Sequence, residues 1–221
     1  MQKTNDFENE LKIGINYFTD IISKYKNYDN IEIELRIGQI QYNGFKPGLS
    51  NKDFYDKIKS ILDKSTAWSH ISKTQINETC NNGIRRVDKF NNKKPPKIEY
   101  IKKQKHNIKD FQYYGTPYDI RICVATETKT DEKIKLNDGI IRKKNRCSYH
   151  YKDYIIDLTI VEQINNGVTN INYELEVELK NLKNNISDKF RAHSALLLMR
   201  DLINMCEKID DECKIIEPIE I

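Results

Sequence analysis

From Ile31 to Lys180 the chain keeps returning to a period of two, with aliphatic residues alternating with charged ones. On a β-strand successive side chains point to opposite faces, so such a segment presents one apolar face and one charged face. "IEIELRIG" puts Glu32, Glu34 and Arg36 on one side and Ile31, Ile33, Leu35 and Ile37 on the other. "NYELEVELK" stacks Glu174, Glu176 and Glu178 at intervals of roughly 7 Å, the two-residue rise of a strand. "GIIRKKNRCSY" aligns Arg142, Lys144 and Arg146, and "DIRICVATE" aligns Arg121 with Glu127 across the small residues Cys123 and Ala125. Asp157 lies inside the apolar "YIIDLTIV", where a strand acid needs partners. One row of glutamates would suit the wet face of an ordinary antiparallel sheet. Rows of both signs on several strands ask for an arrangement in which they meet.

Three segments read as amphipathic helices. The first, "TNDFENELKIGINYFTDIISKY", has Thr4 or Asn5 as cap and an apolar stripe of Phe7, Leu11, Ile15, Phe18, Ile21 and Ile22. "LSNKDFYDKIKSILDKS" begins at Ser50 or Asn51, with Phe54, Ile58, Ile61 and Leu62 on one side. "SDKFRAHSALLLMRDLINMCEKI" is capped by Ser187. The order helix, strand, helix, many strands, helix predicts an α+β domain built on a large antiparallel sheet or barrel. Ordinary small barrels bury their aliphatics inside. Here the economical solution is inverted: aliphatic faces pack outward against helices, and the charged faces line an interior. A cavity walled by acids on one side and bases on the other suits a polyanion bridged by a divalent cation.

The rest of the chain removes competing classes. Its 221 residues suffice for one sizeable domain. A net charge of +4 with 32% charged residues is a mixed surface, unlike a basic nucleic-acid arm. The five cysteines, Cys80, Cys123, Cys147, Cys206 and Cys213, form no CxxC pair, and the four histidines have no metal-binding spacing, which points to a reducing compartment. The polar "MQKTNDFENELK" is no signal peptide, and the apolar run near "ALLLM" is too short to span a bilayer, so a protein that is neither secreted nor membrane-bound is expected. Neither a Walker A motif nor a cysteine-phosphatase loop is read in the chain. "NNKKPPK" reads as an exposed loop, and the tyrosines of "FQYYGTPY" as loop anchors or as platforms for RNA bases.

An E-x-E strand, an R-x-K-x-R strand and a closing E-x-E-x-E strand, in that order, resemble the triphosphate tunnel metalloenzymes. The chain is most similar to the metal-dependent RNA 5′-triphosphatases of mRNA capping, of the fungal, protist and large DNA virus type. "IRKKNRCSY" and "IDLTIV" are especially like the viral capping enzymes. The resemblance covers about Ile31 to Lys180. It implies a closed eight-stranded antiparallel barrel with a charged interior, packed outside by about three helices. It also implies hydrolysis of the γ-phosphate of 5′-triphosphate RNA, the first step of capping, with Mg²⁺ or Mn²⁺ as cofactor.

Carried over residue by residue, the resemblance assigns Glu32, Glu34 and Glu178 to the metal, with Glu174 and Glu176 as water-mediated ligands or supporting acids. Arg142, Lys144 and Arg146 grip phosphate together with Arg121 and Arg36; Glu127 orients the attacking water, and Asp157 braces the basic row. One more Arg and one more Lys are expected on the substrate: "GIRRV" offers Arg85 or Arg86 and "EYIKKQK" offers Lys102 or Lys103, of which Arg85 and Lys103 are chosen. A single domain over residues 1–221 is expected, free-standing or the N-terminal part of a longer capping enzyme. The implied partners are triphosphate-ended RNA, NTP, and a guanylyltransferase in cis or in trans; no K-x-D-G motif is present for that second step. The implied location is cytoplasmic, a viral factory or a virion. Two alternatives remain: a tunnel phosphatase for inorganic triphosphate, NTP or thiamine triphosphate, and a non-catalytic barrel that binds RNA or polyphosphate. The small-substrate enzymes of this kind open with E-x-E-x-K, where this chain has Arg36.

Overall fold

The computed structural model describes residues 2–91, 94–112, 117–134 and 139–207. Three helices, α1 (Gln2–Tyr25), α2 (Lys52–Lys64) and α3 (Asp188–Glu207), accompany nine strands: β1 (Ile31–Gln41), β2 (Gly44–Pro47), β3 (His70–Asn81), β4 (Ile84–Asn91), β5 (Lys94–Phe111), β6 (Asp119–Lys129), β7 (Ile140–Tyr151), β8 (Tyr154–Asn165) and β9 (Val168–Leu179). All pairings are antiparallel. The order is β1-β6-β5-β4-β3-β7-β8-β9, and β9 returns to β1 through Glu34 opposite Glu178, Leu35 opposite Val177 and Arg36 opposite Glu176. The result is a closed eight-stranded barrel with β2 as an extra hairpin strand on the far half of β1.

Local chemistry explains the tight corners. Asn82-Gly83 and Asn166-Gly167 both adopt positive φ, the two-residue geometry whose twist matches the flanking strands of a hairpin. Against expectation, "CNNGIRR" does have the C-x5-R spacing of a cysteine-phosphatase loop. It forms the β3–β4 hairpin instead, and Arg86 leaves it to bind Asp88 at 2.8 Å. Asn51 caps α2 by accepting from Phe54 N, and Ser187 Oγ accepts from Phe190 N at the start of α3. The first helix differs from expectation: it begins at Gln2, so Thr4 and Asn5 lie within it rather than capping it. The Phe7 and Leu11 side chains lie outside the described residues, as do Tyr113, Tyr114, Cys213 and "IIEPIEI".

The hydrophobic core sits outside the barrel. Phe18, Ile21 and Ile22 of α1, Ile58 and Leu62 of α2, and the Ala192, Ala195, Leu196, Met199, Leu202 and Ile203 stripe of α3 are all buried. They pack on Ile33, Leu35, Ile37, Ile122, Val124, Ile156, Leu158, Leu175 and Val177, the outward aliphatics of β1, β6, β8 and β9. Each of the larger side chains, from valine upward, contributes on the order of 1.5–3 kcal/mol on burial. Tyr118 is fully buried in this core, so this tyrosine of "FQYYGTPY" is an anchor and no base platform. The helices cover only part of the barrel: Ile71, Phe90 and Ile98 on β3, β4 and β5 are exposed. Lys94 to Lys97 of "NNKKPPK" belong to β5 rather than to a loop; the ladder with β4 skips Pro95 and Pro96, which cannot donate to it.

Gly38 permits the β1–β2 hairpin to close. A Cβ there would sit 2.3 Å from the Lys46 carbonyl oxygen and 2.6 Å from the Phe45 ring, and the backbone has little room to yield. Gly38→Ala should destabilise the protein by about 1–3 kcal/mol, measured as a lowered midpoint in urea; an unchanged midpoint would mean that β2 is not closed over this position.

Candidate active site

Residues directly opposite one another in a ladder share a face, and the registers bring the charged rows together inside the barrel. Arg36 of β1 reaches both Glu34 (Nη2–Oε1 2.8 Å) and Glu176 of β9 (Nε–Oε1 3.0 Å). Arg146 of β7 binds Asp157 of β8 at 2.7 Å and Glu176 at 3.4 Å, while Ser148 donates to the other Asp157 oxygen at 2.5 Å. Farther along the same strands Arg142 holds Glu174 at 2.6 Å, and Lys144 holds Glu78 of β3 at 2.7 Å. Arg85 of β4 lies between Glu127 of β6 (3.3 Å) and Glu78 (3.8 Å). Lys103 of β5 contacts Glu32, Glu127 at 3.2 Å and Glu34 at 3.8 Å. Ion pairs thus link acids and bases from several strands around the interior. Glu178 pairs with Lys180.

Burial and neighbouring charge set the protonation of these groups in opposite senses. Burial, with the Glu34 charge, pushes the Glu32 carboxyl up to about 7 despite Lys103. Burial also raises Glu178 and Asp157, outweighing Lys180 and Arg146. Burial would raise Glu176 too, but Arg36 and Arg146 hold it down to about 2. Glu127, whose burial acts upward, is kept below the ordinary carboxylate range by Lys103 and Arg85. Glu78 is held low against its burial by Lys144 and Arg85. Lys144 itself is lowered, because burial and the flanking Arg142 and Arg146 outweigh the pull of Glu78.

The structure sorts the sequence-derived residues. Arg85 and Lys103 face the interior, whereas Arg86 binds the outward Asp88 and Lys102 is exposed. Arg121 stands apart from the network: Asp110 holds it bidentately at 2.6 and 2.9 Å, and its guanidinium lies 4.5 Å from the Phe45 ring centroid, at the end of the barrel near β2. The interior is not wholly charged, as the alternation suggested. Ile76 and Val161 stand opposite Lys144 in the ladders and Val87 stands opposite Glu78, all three buried. Glu78, which ties together three bases, escapes the sequence reading; "TQINETC" has no apolar alternation to point at it.

Glu32, Glu34 and Glu178 offer hard carboxylate oxygens on adjoining strands, with Glu34 opposite Glu178, the donor chemistry Mg²⁺ or Mn²⁺ requires. Glu34 Oε1 is buried and already meets the Arg36 guanidinium at 2.8 Å, so a cation bound here would share this oxygen with Arg36. As they stand, no three acids among the described residues converge tightly enough to chelate an ion, and the Lys103 ammonium supplies the positive charge at Glu32 and Glu34. The donor chemistry of this set suits a divalent cation.

The family model for the mRNA triphosphatases, described as mRNA capping enzyme, beta chain, matches residues 55–217. The chain belongs to this family. Its members are phosphoanhydride hydrolases, and the chain is an enzyme of that class. The match begins inside α2, so the capping-family assignment does not itself reach β1. No curated protein matches by sequence. Among solved structures, the S. pombe Pct1 RNA triphosphatase is similar with TM-score 0.65 and 16% identity, over 91% of this chain and 93% of that one. The same protein in complex with the Spt5 CTD gives TM-score 0.70 and 17% identity, over 87% and 91%. The Mimivirus capping enzyme triphosphatase gives 0.56 and 18%, over 86% and 96%. These likenesses establish the tunnel fold, β1 included.

A carboxyl raised by folding favours the folded state below its unfolded value, and that advantage is lost as pH rises through the folded value. Glu32 should therefore cost up to about 3 kcal/mol as pH rises from about 4.5 to about 7 in chelator-treated protein. Glu32→Gln should flatten that part of the stability–pH profile, measured by urea denaturation from pH 5 to 8. A variant whose profile parallels the wild type would show that Glu32 is not held protonated by its surroundings.

Proposed function

We propose that this domain removes the γ-phosphate from the 5′ end of triphosphate-ended RNA in a divalent-metal-assisted reaction, the first step of mRNA capping. The observation that carries the proposal is the closed interior in which Arg142, Lys144 and Arg146 of β7 stand across from the glutamates of β1 and β9. Family membership supports the same reading.

Phosphoryl transfer spreads charge over phosphate oxygens and asks for little covalent work, so positioning and electrostatic stabilisation carry it. Glu32, Glu34 and Glu178 would hold Mg²⁺ or Mn²⁺, with Glu174 and Glu176 supporting; the ion supplies Lewis-acid neutralisation of the triphosphate. Arg142 and Arg146 present planar forks suited to bidentate phosphate contact, and Lys144 adds a compact charge between them. Asp157 and Glu176 fix the Arg146 guanidinium. Arg85, Lys103 and Arg36 bind further phosphate oxygens, and Arg121 serves the end of the tunnel. Glu127, ionised and partly exposed beside Arg85 and Lys103, orients water and accepts its proton.

The diphosphate end so formed is the acceptor for guanylyl transfer, and we assign that step to a guanylyltransferase in cis or in trans. Residues 1–221 act as one catalytic domain. The free thiols Cys80, Cys123 and Cys147 fit a reducing cytoplasmic setting, and the "IRKKNRCSY" likeness fits a viral capping enzyme. Among the described residues no helix is long and apolar enough to cross a membrane.

Glu127→Gln should lower kcat on triphosphate-ended RNA by ~10²–10⁴-fold with KM little changed, whereas Glu34→Ala and Glu178→Ala should abolish metal-dependent turnover. Steady-state phosphate release, with Mn²⁺ affinity measured by calorimetry, separates the roles. A Gln variant that has lost only the metal would move Glu127 among the ligands, and one of wild-type activity would remove it from the mechanism. A preference for free triphosphate over RNA would favour the small-polyphosphate alternative.

A further inference from the structure

Strand β3 is longer than its neighbour β4 at one end of the barrel. Its pairing with β4 begins at Gln75, while His70 to Thr74 pair with β7 alone. The wall is therefore open along this stretch of β3, between α2 and the side of the barrel that the helices leave uncovered. A groove of about 750 Å³ occupies the opening, within the range of ligand-binding clefts. Lys59 of α2, Lys73 of β3, Lys89 of β4 and Lys97 of β5 line it together with Phe90, and Arg146 of the interior network forms part of it. Among the described residues no acidic one lines it.

Some of this charge is shared: Lys59 pairs with Asp63, and Lys89 and Lys97 both lean on Glu99, at 3.3 and 3.1 Å. One carboxylate facing several ammonium groups leaves a positive excess, and Lys129, also on Glu99 at 3.1 Å, adds to it at the same mouth. Burial contributes little here, since Lys97 and Lys129 are largely exposed. A backbone phosphate can therefore compete for them readily. Phe90, 38% exposed beside these lysines, offers an apolar face for a base.

We propose that this groove carries the RNA chain itself: the single-stranded nucleotides that follow the 5′-triphosphate leave the interior past Arg146 and run between α2 and the β4–β5 hairpin. The inference rests on the RNA triphosphatase reading. It adds what that reading lacks, a path for the polymer and a physical basis for preferring RNA to free triphosphate. Lysines hold the sugar-phosphate backbone without reading sequence, and Phe90 stacks on whichever base arrives.

The test compares one enzyme on two substrates, a triphosphate-ended RNA of about ten nucleotides and inorganic triphosphate, with Lys73→Gln/Lys97→Gln and Phe90→Ala beside the wild type. These side chains are exposed; Lys97 lies on the inward face of β5 at the mouth, where it pairs with Glu99. The double lysine variant should raise KM for the RNA about tenfold or more, with kcat unchanged and kinetics on inorganic triphosphate unaltered. Its dependence of log KM on log salt should be shallower by about 0.7 for each backbone phosphate that the variant no longer neutralises. Phe90→Ala should raise KM for RNA alone. Equal KM values for RNA in wild type and variants would overturn the groove while leaving the triphosphatase intact. So would a wild-type KM that is indifferent to RNA length, as expected if the groove receives an acidic protein segment instead. A wild type inactive on both substrates would overturn the underlying reading.

Discussion

Neutralisation inside a closed barrel governs this molecule. A carboxylate or guanidinium removed from water costs several kcal/mol unless an opposite charge replaces the lost solvent. The interior meets that demand by alternation: Arg36 between Glu34 and Glu176, Arg146 between Glu176 and Asp157, Arg85 between Glu127 and Glu78. Each of these arginines has two carboxylate partners, so loss of one weakens its compensation without stranding it. The same pairing fixes each head group before any ligand arrives, which is what electrostatic preorganisation requires. Ligand entry is then an exchange of partners. On the proposed function, a triphosphate would draw the bases from their glutamates and leave those carboxylates to a divalent cation. Anion and cation each make room for the other, so this geometry favours binding them together.

The inverted core makes that interior possible. With the aliphatic faces turned outward, hydrophobic stabilisation comes from α1, α2 and α3 on the outside of β1, β6, β8 and β9, and the lumen is left to charge. Arg191 shows the same rule in reverse. A residue of the first turn of α3 and nearly fully buried, it is met by the Lys180 carbonyl, Asn184 and Asp153. Among the described residues no helix covers the β3–β4–β5 side, and there the outer surface is open and sets lysines beside the exposed Ile71, Phe90 and Ile98. One side of the wall is therefore committed to stability, and the other is free for recognition.

Much of this is legible in the chain because a strand's period of two is rigid. Where one face is aliphatic, as in "IEIELRIG" and "NYELEVELK", no other register keeps Ile33 or Val177 dry, and the position of Glu34 or Glu176 follows. The choice of Arg85 over Arg86 needs the β3–β4 register, because both neighbours are arginine and a slip of one residue exchanges their faces. Glu78 is illegible for a related reason: the outer face of β3 carries Lys73, Gln75 and Asn77, so no apolar row marks its inner face. Arg121 shares the inner face as expected, but Asp110 and Phe45, on other strands, retain it at the end of the barrel. Ile76, Val87 and Val161 lie inside because the alternation does not specify which residues fill the space around Lys144.

The seam between β1 and β9 has a further consequence for how the enzyme comes into being. Glu34 and Glu178 face each other across the closing ladder, yet one belongs to the first strand of the chain and the other to the last. The six intervening barrel strands form by hairpins and longer returns, but the lumen is not enclosed until the two ends meet. Pairings of such wide sequence separation slow folding, since the loop entropy must be given up before they form. On the ribosome the N-terminal strand must wait for most of the chain to be made, its row of glutamates still in water. A chain interrupted before β9 holds most of the parts of this site and none of its enclosure. Only the complete barrel takes the glutamates of β1 out of water.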